Sequence, residues 1–339
     1  MHFWVKLGSI AAASVVWLMP HSANADIDWA QIDLAQERAA IENFQAYDQV
    51  LQDVGWALAK GNAEFCPRTL PAIGLQVQDL ATYGSPEVGR VALGMTGDFA
   101  VQTAAEGSPA ALVSELSRNR EIMRIGTEDP NLWPSDEDAI WRRAARAHDL
   151  IDWLLARDGV LSVGLSDGGA ARIEPVLVCA GRFEVLSRSD AASATAKRVL
   201  IGTENPAFHY PRDEFAALVA HEFAHLVLEH TAWRDRNGRS QRNIRITEQE
   251  ADRLMPWLLA NAGYDPREAM GWLERNRPAS GGFLFFRGTH NKWRDRVAVI
   301  ESELPVIEAV IARHGKADWA TYFRREVDPN QGLEREADG

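Results

Sequence analysis

Apolar positions change their spacing several times along the chain, and each change marks a different kind of element. From about Asp26 to Gly61, residues such as Ile32, Leu34, Ile41, Phe44, Val50, Leu51, Val54 and Leu58 recur every three or four positions. That spacing predicts helix, as one long element or two. Between Ala63 and Cys179 the pattern alternates instead. Ile73–Val77, Phe99–Thr103 and Ile122–Gly126 read as strands, and Gly107-Ser108-Pro109-Ala110-Ala111 reads as a turn entering a short helix. Ser135-Asp136-Glu137-Asp138 offers an acidic helix start for the helical spacing from Ile140 to Leu155. Two strand candidates follow, Leu161–Leu165 and Arg172–Val178, around the turn Asp167-Gly168-Gly169.

Beyond Arg182 helix dominates. Arg198–Gly202 is the last strong strand signal, and Tyr210-Pro211-Arg212-Asp213-Glu214 opens a helix whose apolar run reaches Leu228. Residues 231–245 are strongly charged and predict an exposed loop. Residues 326–339 have no periodicity and predict a disordered tail. The expected class is α+β: a mainly helical domain with a small sheet, residues 180–325, preceded by a smaller α+β module, residues 63–179, and a helical segment, residues 26–62.

The composition, 46% apolar and 25% charged, is that of a globular protein. A net charge of −12 argues against a nucleic-acid partner and against holding anionic lipid by a general field. Two cysteines exclude a disulfide-dense scaffold.

The N-terminus changes the picture of location. Lys6, the mostly apolar run Leu7–Met19 and the small-x-small sequence Ala23-Asn24-Ala25 form a Sec-type signal peptide, residues 1–25, with cleavage expected after Ala25. No later stretch is apolar enough for a stable membrane anchor. The expectation is a periplasmic protein, with secretion as the alternative. That oxidising compartment allows Cys66 and Cys179 to pair; two buried thiols are the other possibility.

Candidate chemistry lies on the helix ending near Leu228. His221-Glu222-Phe223-Ala224-His225 places two imidazoles one turn apart on one face, where both reach the same Zn²⁺, with Glu222 displaced toward the water that zinc would activate. A catalytic zinc takes three protein ligands, and Glu248 supplies a third. Asp252 follows four residues later on the same face, suited to accept a hydrogen bond from a ligand imidazole. Thr247 and Glu250 have capping-box spacing, which puts a helix start there and Glu250 on a solvated face. Pro256 is expected to kink or end that helix.

H-E-x-x-H followed by E-x-x-A-D resembles metallopeptidase family 48, the gluzincins related to the CAAX prenyl protease and the HtpX-type proteases. Asp213–Ala220 before the motif, His230 after it, Asn261-Ala262-Gly263-Tyr264-Asp265-Pro266, and Thr289-His290 with Arg296 agree with that family's pattern. Asn291 departs from it, replacing a proline. The resemblance implies an exported zinc metalloendopeptidase with one Zn²⁺ on His221, His225 and Glu248. Glu222 is then the general base and His290 a contact to the reacting group. Arg296 is a rival for that role or an ion-pair partner of the site. It also implies polypeptide substrates, misfolded or misassembled exported proteins, docking as an extended strand near Arg198–Gly202. His230 and Tyr264 read as structural.

The order of elements from 63 to 179 resembles a PDZ domain, with its peptide-carboxylate loop near Ile73-Gly74-Leu75 and Ser114–Asn119 in place of the usual glycine-containing stretch. This resemblance implies either a peptide clamp or a purely structural module, with Cys66 and Cys179 at its ends. A second reading of the whole chain is a periplasmic chaperone or assembly factor with a latent or slow protease site. A purely structural zinc protein is disfavoured, because only three good ligands are present.

Overall fold

The computed structural model describes residues 27–136, 138–277 and 293–332. Residues 1–25, expected to be a signal peptide, His290 and residues 333–339 lie outside them. The chain divides by contacts into Met1–Asp33 and Leu34–Gly339. In the first unit Trp29–Gln31 forms one 3₁₀ turn, capped by the Asp28 carboxylate on the Ala30 N–H.

The second unit begins with α1 (Leu34–Gly61), a single helix of 28 residues. Its length follows from the absence of any internal proline and from apolar residues that serve two neighbours. Leu51, Val54 and Leu58 join the larger core, while Gln45, Asp48 and Gln52 are buried in a polar network. Gly55 lets Phe183 approach, since a Cβ there would lie 2.4 Å from its ring.

The chain then forms β1 (Thr69–Ala72), β2 (Leu75–Asp79), α2 (Pro86–Leu93), β3 (Phe99–Ala104), β4 (Ile122–Ile125), α3 (Arg142–Asp158), β5 (Leu161–Leu165), β6 (Ala170–Ile173) and β7 (Val176–Cys179). Gly74, at φ +69°, separates β1 from β2, so the strand expected from Ile73 begins at Leu75, and Glu174-Pro175 divides the strand expected over Arg172–Val178 into β6 and β7. β2 pairs antiparallel with β3, β5 with β4 and β6, and β1 with β7. Ile73, Val101, Ile122, Ile151 and Leu161 belong to a second core under α3. Arg143 ties α3 to this sheet, reaching Asp79 (Nε to Oδ2, 2.8 Å) and Asp98 (Nη2 to Oδ2, 2.8 Å).

Cys66 and Cys179 form a disulfide across a sequence separation of 113, with a Cα distance of 5.5 Å. It sits at the end of the β1–β7 ladder, where Thr69 pairs with Cys179.

A three-stranded sheet follows, ordered β8 (Arg182–Leu186), β10 (Arg198–Gly202), β9 (Ala192–Ala194), with β8 parallel and β9 antiparallel to β10. β10 is therefore the middle strand. The substrate edge expected along Arg198–Gly202 is occupied on both sides, and the outer strands are β8 and β9. The remaining elements are helices: α4 (Arg212–Val227), α5 (His230–Asn237), α6 (Gln241–Asn261), α7 (Glu268–Arg275), α8 (Trp293–His314) and α9 (Trp319–Tyr322). α4 is buried all round from Glu214 to Val227, packed by α6, α7, α1 and the sheet. No helix among the described residues is long and apolar enough to cross a membrane.

Four expectations from sequence are corrected here. Residues 231–245 are not an exposed loop: α5 and the first turn of α6 take up most of them, His230 and Trp233 are buried on the inner face of α5, Asp235 and Arg239 are exposed, and Arg234 turns inward. α6 starts at Gln241 under a Ser240 cap; Thr247 sits inside the helix, its hydroxyl donating to the Ile244 carbonyl at 2.8 Å. Pro256 leaves α6 running on to Asn261. The tail expected to be disordered from 326 is ordered through Gly332: Val327 is buried, and Trp233 Nε1 donates to the Asp328 carbonyl at 3.0 Å.

Candidate metal centre

α4 carries His221, Glu222 and His225 within an unbroken run of buried residues, and α6 crosses it with Glu248 and Asp252 one turn apart. His221, His225 and Glu248 each present one ligand atom, all within 4.8 Å of one another. Glu248 Oε2 lies 3.4 Å from His221 Nε2 and 3.5 Å from His225 Nε2. A tetrahedral ion with ligands at about 2.0–2.1 Å has edges of roughly 3.3–3.4 Å. The two Glu248 edges are therefore close to those of such a tetrahedral site, and the donor set of two imidazoles and one carboxylate fits a metal ion of that kind.

Electrostatics point the same way. Burial disfavours charge on His221, yet Asp252, Glu248 and Glu222 outweigh it and push its pKa up to about 10. The pocket thus prefers a positive charge.

Each imidazole is oriented from behind. His221 Nδ1 lies 3.1 Å from Asp252 Oδ1. Arg296 on α8 grips the same carboxylate, Nε to Oδ2 and Nη2 to Oδ1, both at 2.7 Å. Burial raises the Asp252 pKa and these partners lower it further, leaving it at about 2. Arg296 is thus the ion-pair partner foreseen as one of its two roles, and Trp272 stacks 5.6 Å from its guanidinium.

His225 is oriented differently. Its Nδ1 lies 2.8 Å from His230 Nδ1, and His230 Nε2 lies 3.0 Å from Glu250 Oε2. Glu250 is fully buried, so its expected place on a solvated face is wrong. It takes both oxygens to Arg325 Nε at 3.1 Å, and accepts from the Glu326 and Val327 backbone N–H groups, the latter at 3.0 Å. Burial holds the His230 pKa down to about 3, while His230 and Arg325 overcome burial to hold Glu250 at about 2. Sequence reasoning missed this chain because its members come from four separate segments. The one available signal was that Glu250 shares a helix face with Thr247 and Leu254, both buried on α6. Arg234 was missed as well; its Nη1 stands 3.6 Å from Glu248 Oε1.

In the first module, the space between β2 and α3 is a cavity of about 80 Å³ lined by Leu75, His148, Ile151 and Leu155, with Trp56 of α1 and Phe183 of β8 as its other wall. Pockets for ligands of drug size are several-fold larger, roughly 300 Å³ and above. Arg182 crosses beside it to Asp152 at 2.5 Å.

No protein-family model matches the chain, and comparison with curated proteins and with solved structures finds no match.

Proposed function

We propose that the protein is an exported zinc metalloendopeptidase of the gluzincin kind, similar to metallopeptidase family 48. The observation that carries this reading is the convergence of His221, His225 and Glu248 at zinc-ligand spacing, with Glu222 buried on the same helix. When bound, zinc would polarise the scissile carbonyl and acidify water. Glu222 takes the proton from that water and delivers it to the leaving amine. Asp252 and Arg296 keep the His221 ring turned so that Nε2 faces the site.

The outer strand β9 offers the edge along which an extended substrate would dock, by added-strand pairing. Its neighbour Thr231, at the start of α5, donates to the Ala194 carbonyl at 3.4 Å, so the strand is tied to the helix that follows the motif. Unfolded exported polypeptides in the periplasm are the substrate class this arrangement suits. The disulfide Cys66–Cys179 supports an oxidising compartment. The closed space between β2 and α3 favours a PDZ-like module that is structural over one that clamps peptides.

Cleavage of denatured casein by the purified chain, its loss on chelation and its return with zinc test the reading. Cleavage that survives complete metal removal would end it.

A further inference from the structure

The two imidazoles of the site are held by different devices. Asp252 touches His221 directly, whereas between His225 and the nearest carboxylate on its far side stands a second imidazole, His230. This geometry becomes possible at Glu229, whose backbone is left-handed (φ +57°). α4 ends there, the chain reverses, and α5 begins with His230 turned back against His225.

We propose that Glu250, held by the C-terminal strap of residues 325–327, selects the tautomer of the metal ligand His225 through His230. The proposal rests on the metal-binding reading above. Its logic is one of donors and acceptors. Glu250 Oε1 is fixed by the two strap N–H groups, Arg325 Nε bridges both oxygens, and Oε2 is left as the acceptor toward His230. A carboxylate can only accept, so His230 Nε2 must carry the hydrogen. A neutral His230 then has a lone pair on Nδ1, and the 2.8 Å contact requires the hydrogen on His225 Nδ1. That leaves the His225 Nε2 lone pair free to face Glu248 and the metal. With the polarity reversed, or with both His230 nitrogens protonated, His225 Nε2 would carry a hydrogen and could not ligate. The strap is thus a positioning element of the metal centre, although it lies three side chains away.

The Glu250→Gln substitution reverses the polarity while keeping the shape. The strap N–H groups and Arg325 keep the amide oxygen, so the amide NH₂ faces His230 Nε2 and forces it to accept. Arg325→Gln weakens the hold on Glu250 without touching either imidazole. Zinc affinity is measured by competition with a chromophoric chelator, with thermal unfolding as a check on folding. The side-chain ¹⁵N shifts of selectively labelled histidines report the tautomers in the full chain.

The expected result is a loss of about 10–100-fold in zinc affinity for Glu250→Gln, the range typical for partners behind a ligand. A smaller loss is expected for Arg325→Gln. Wild type is expected to show His225 protonated on Nδ1 and His230 on Nε2. Wild-type zinc affinity retained in a folded Glu250→Gln variant would overturn the proposal and leave the metalloenzyme reading standing, as would a His230 hydrogen on Nδ1 in zinc-loaded wild type. If wild type binds no zinc, the metalloenzyme reading itself fails, and the proposal with it. If Glu250→Gln does not fold, the Arg325→Gln affinity and the wild-type tautomers decide.

Discussion

Arg296 and Asp252 meet in a two-pronged ion pair, both contacts at 2.7 Å, directly behind the imidazole of His221. The pair joins α8 to α6 and serves packing and the metal site together. Removing one member leaves the other as a buried charge, which typically costs about 3–5 kcal/mol. Arg296→Met is therefore expected to destabilise the fold by that order. Asp252→Asn combined with Arg296→Met should cost less than the sum of the two single changes, because neither charge is then stranded. Denaturant unfolding of the four members of this cycle in the metal-free state checks it; additive effects would show that the pair is not coupled.

The disulfide closes a segment containing the whole first module, with a separation of 113 residues between its cysteines. Loop-closure arguments and the usual cost of losing a native bridge give about 2–5 kcal/mol. Replacing both cysteines by serine is expected to lower the denaturation midpoint accordingly, and the effect of added reductant on wild type should vanish in the double variant. Unchanged stability on full reduction would mean that the β1–β7 ladder holds the ends unaided.

Asp48 sets a pH dependence of its own. Burial on the face of α1 that meets β3 raises its pKa from 3.8 to about 6, against hydrogen bonds from Gln52, Gln102 and Thr103 that favour the charge. A raised acid pKa means that the native state holds the proton more tightly than the unfolded state. Its contribution is full below pH 3.8 and is lost as pH rises through about 6. Two units correspond to roughly 3 kcal/mol at most. Stability of wild type minus that of Asp48→Asn is expected to fall between pH 4 and 6.5 and to level off above. A flat difference across that window would place the proton elsewhere.

Much of the site was legible because its chemistry is local. His221, Glu222 and His225 lie on one helix, and Glu248 with Asp252 on another, so the 3.6-residue repeat alone brings each set to one face. Strand signals such as Ile122–Gly126 and Leu161–Leu165 were equally local and match β4 and β5. What escaped depends on tertiary partners. Glu250 reads as a surface charge until Arg325 and two backbone N–H groups arrive from 75 to 77 residues away. α5 reads as a charged loop because only His230 and Trp233 of its eight residues are buried. β10 gave a strong strand signal, but its place in the middle of the sheet depends on β8, which carried no clear signal of its own.

The central claim is a bound zinc with Glu222 as proton carrier. It is tested most directly by measuring zinc stoichiometry and casein cleavage together for wild type and Glu222→Gln. Removing a positioned acid–base group typically costs about 10²–10⁴-fold in rate. The account predicts one zinc per chain in both proteins and cleavage reduced by that order in the variant alone. Equal cleavage by both, or no zinc in a folded and metal-replete wild type, would contradict it.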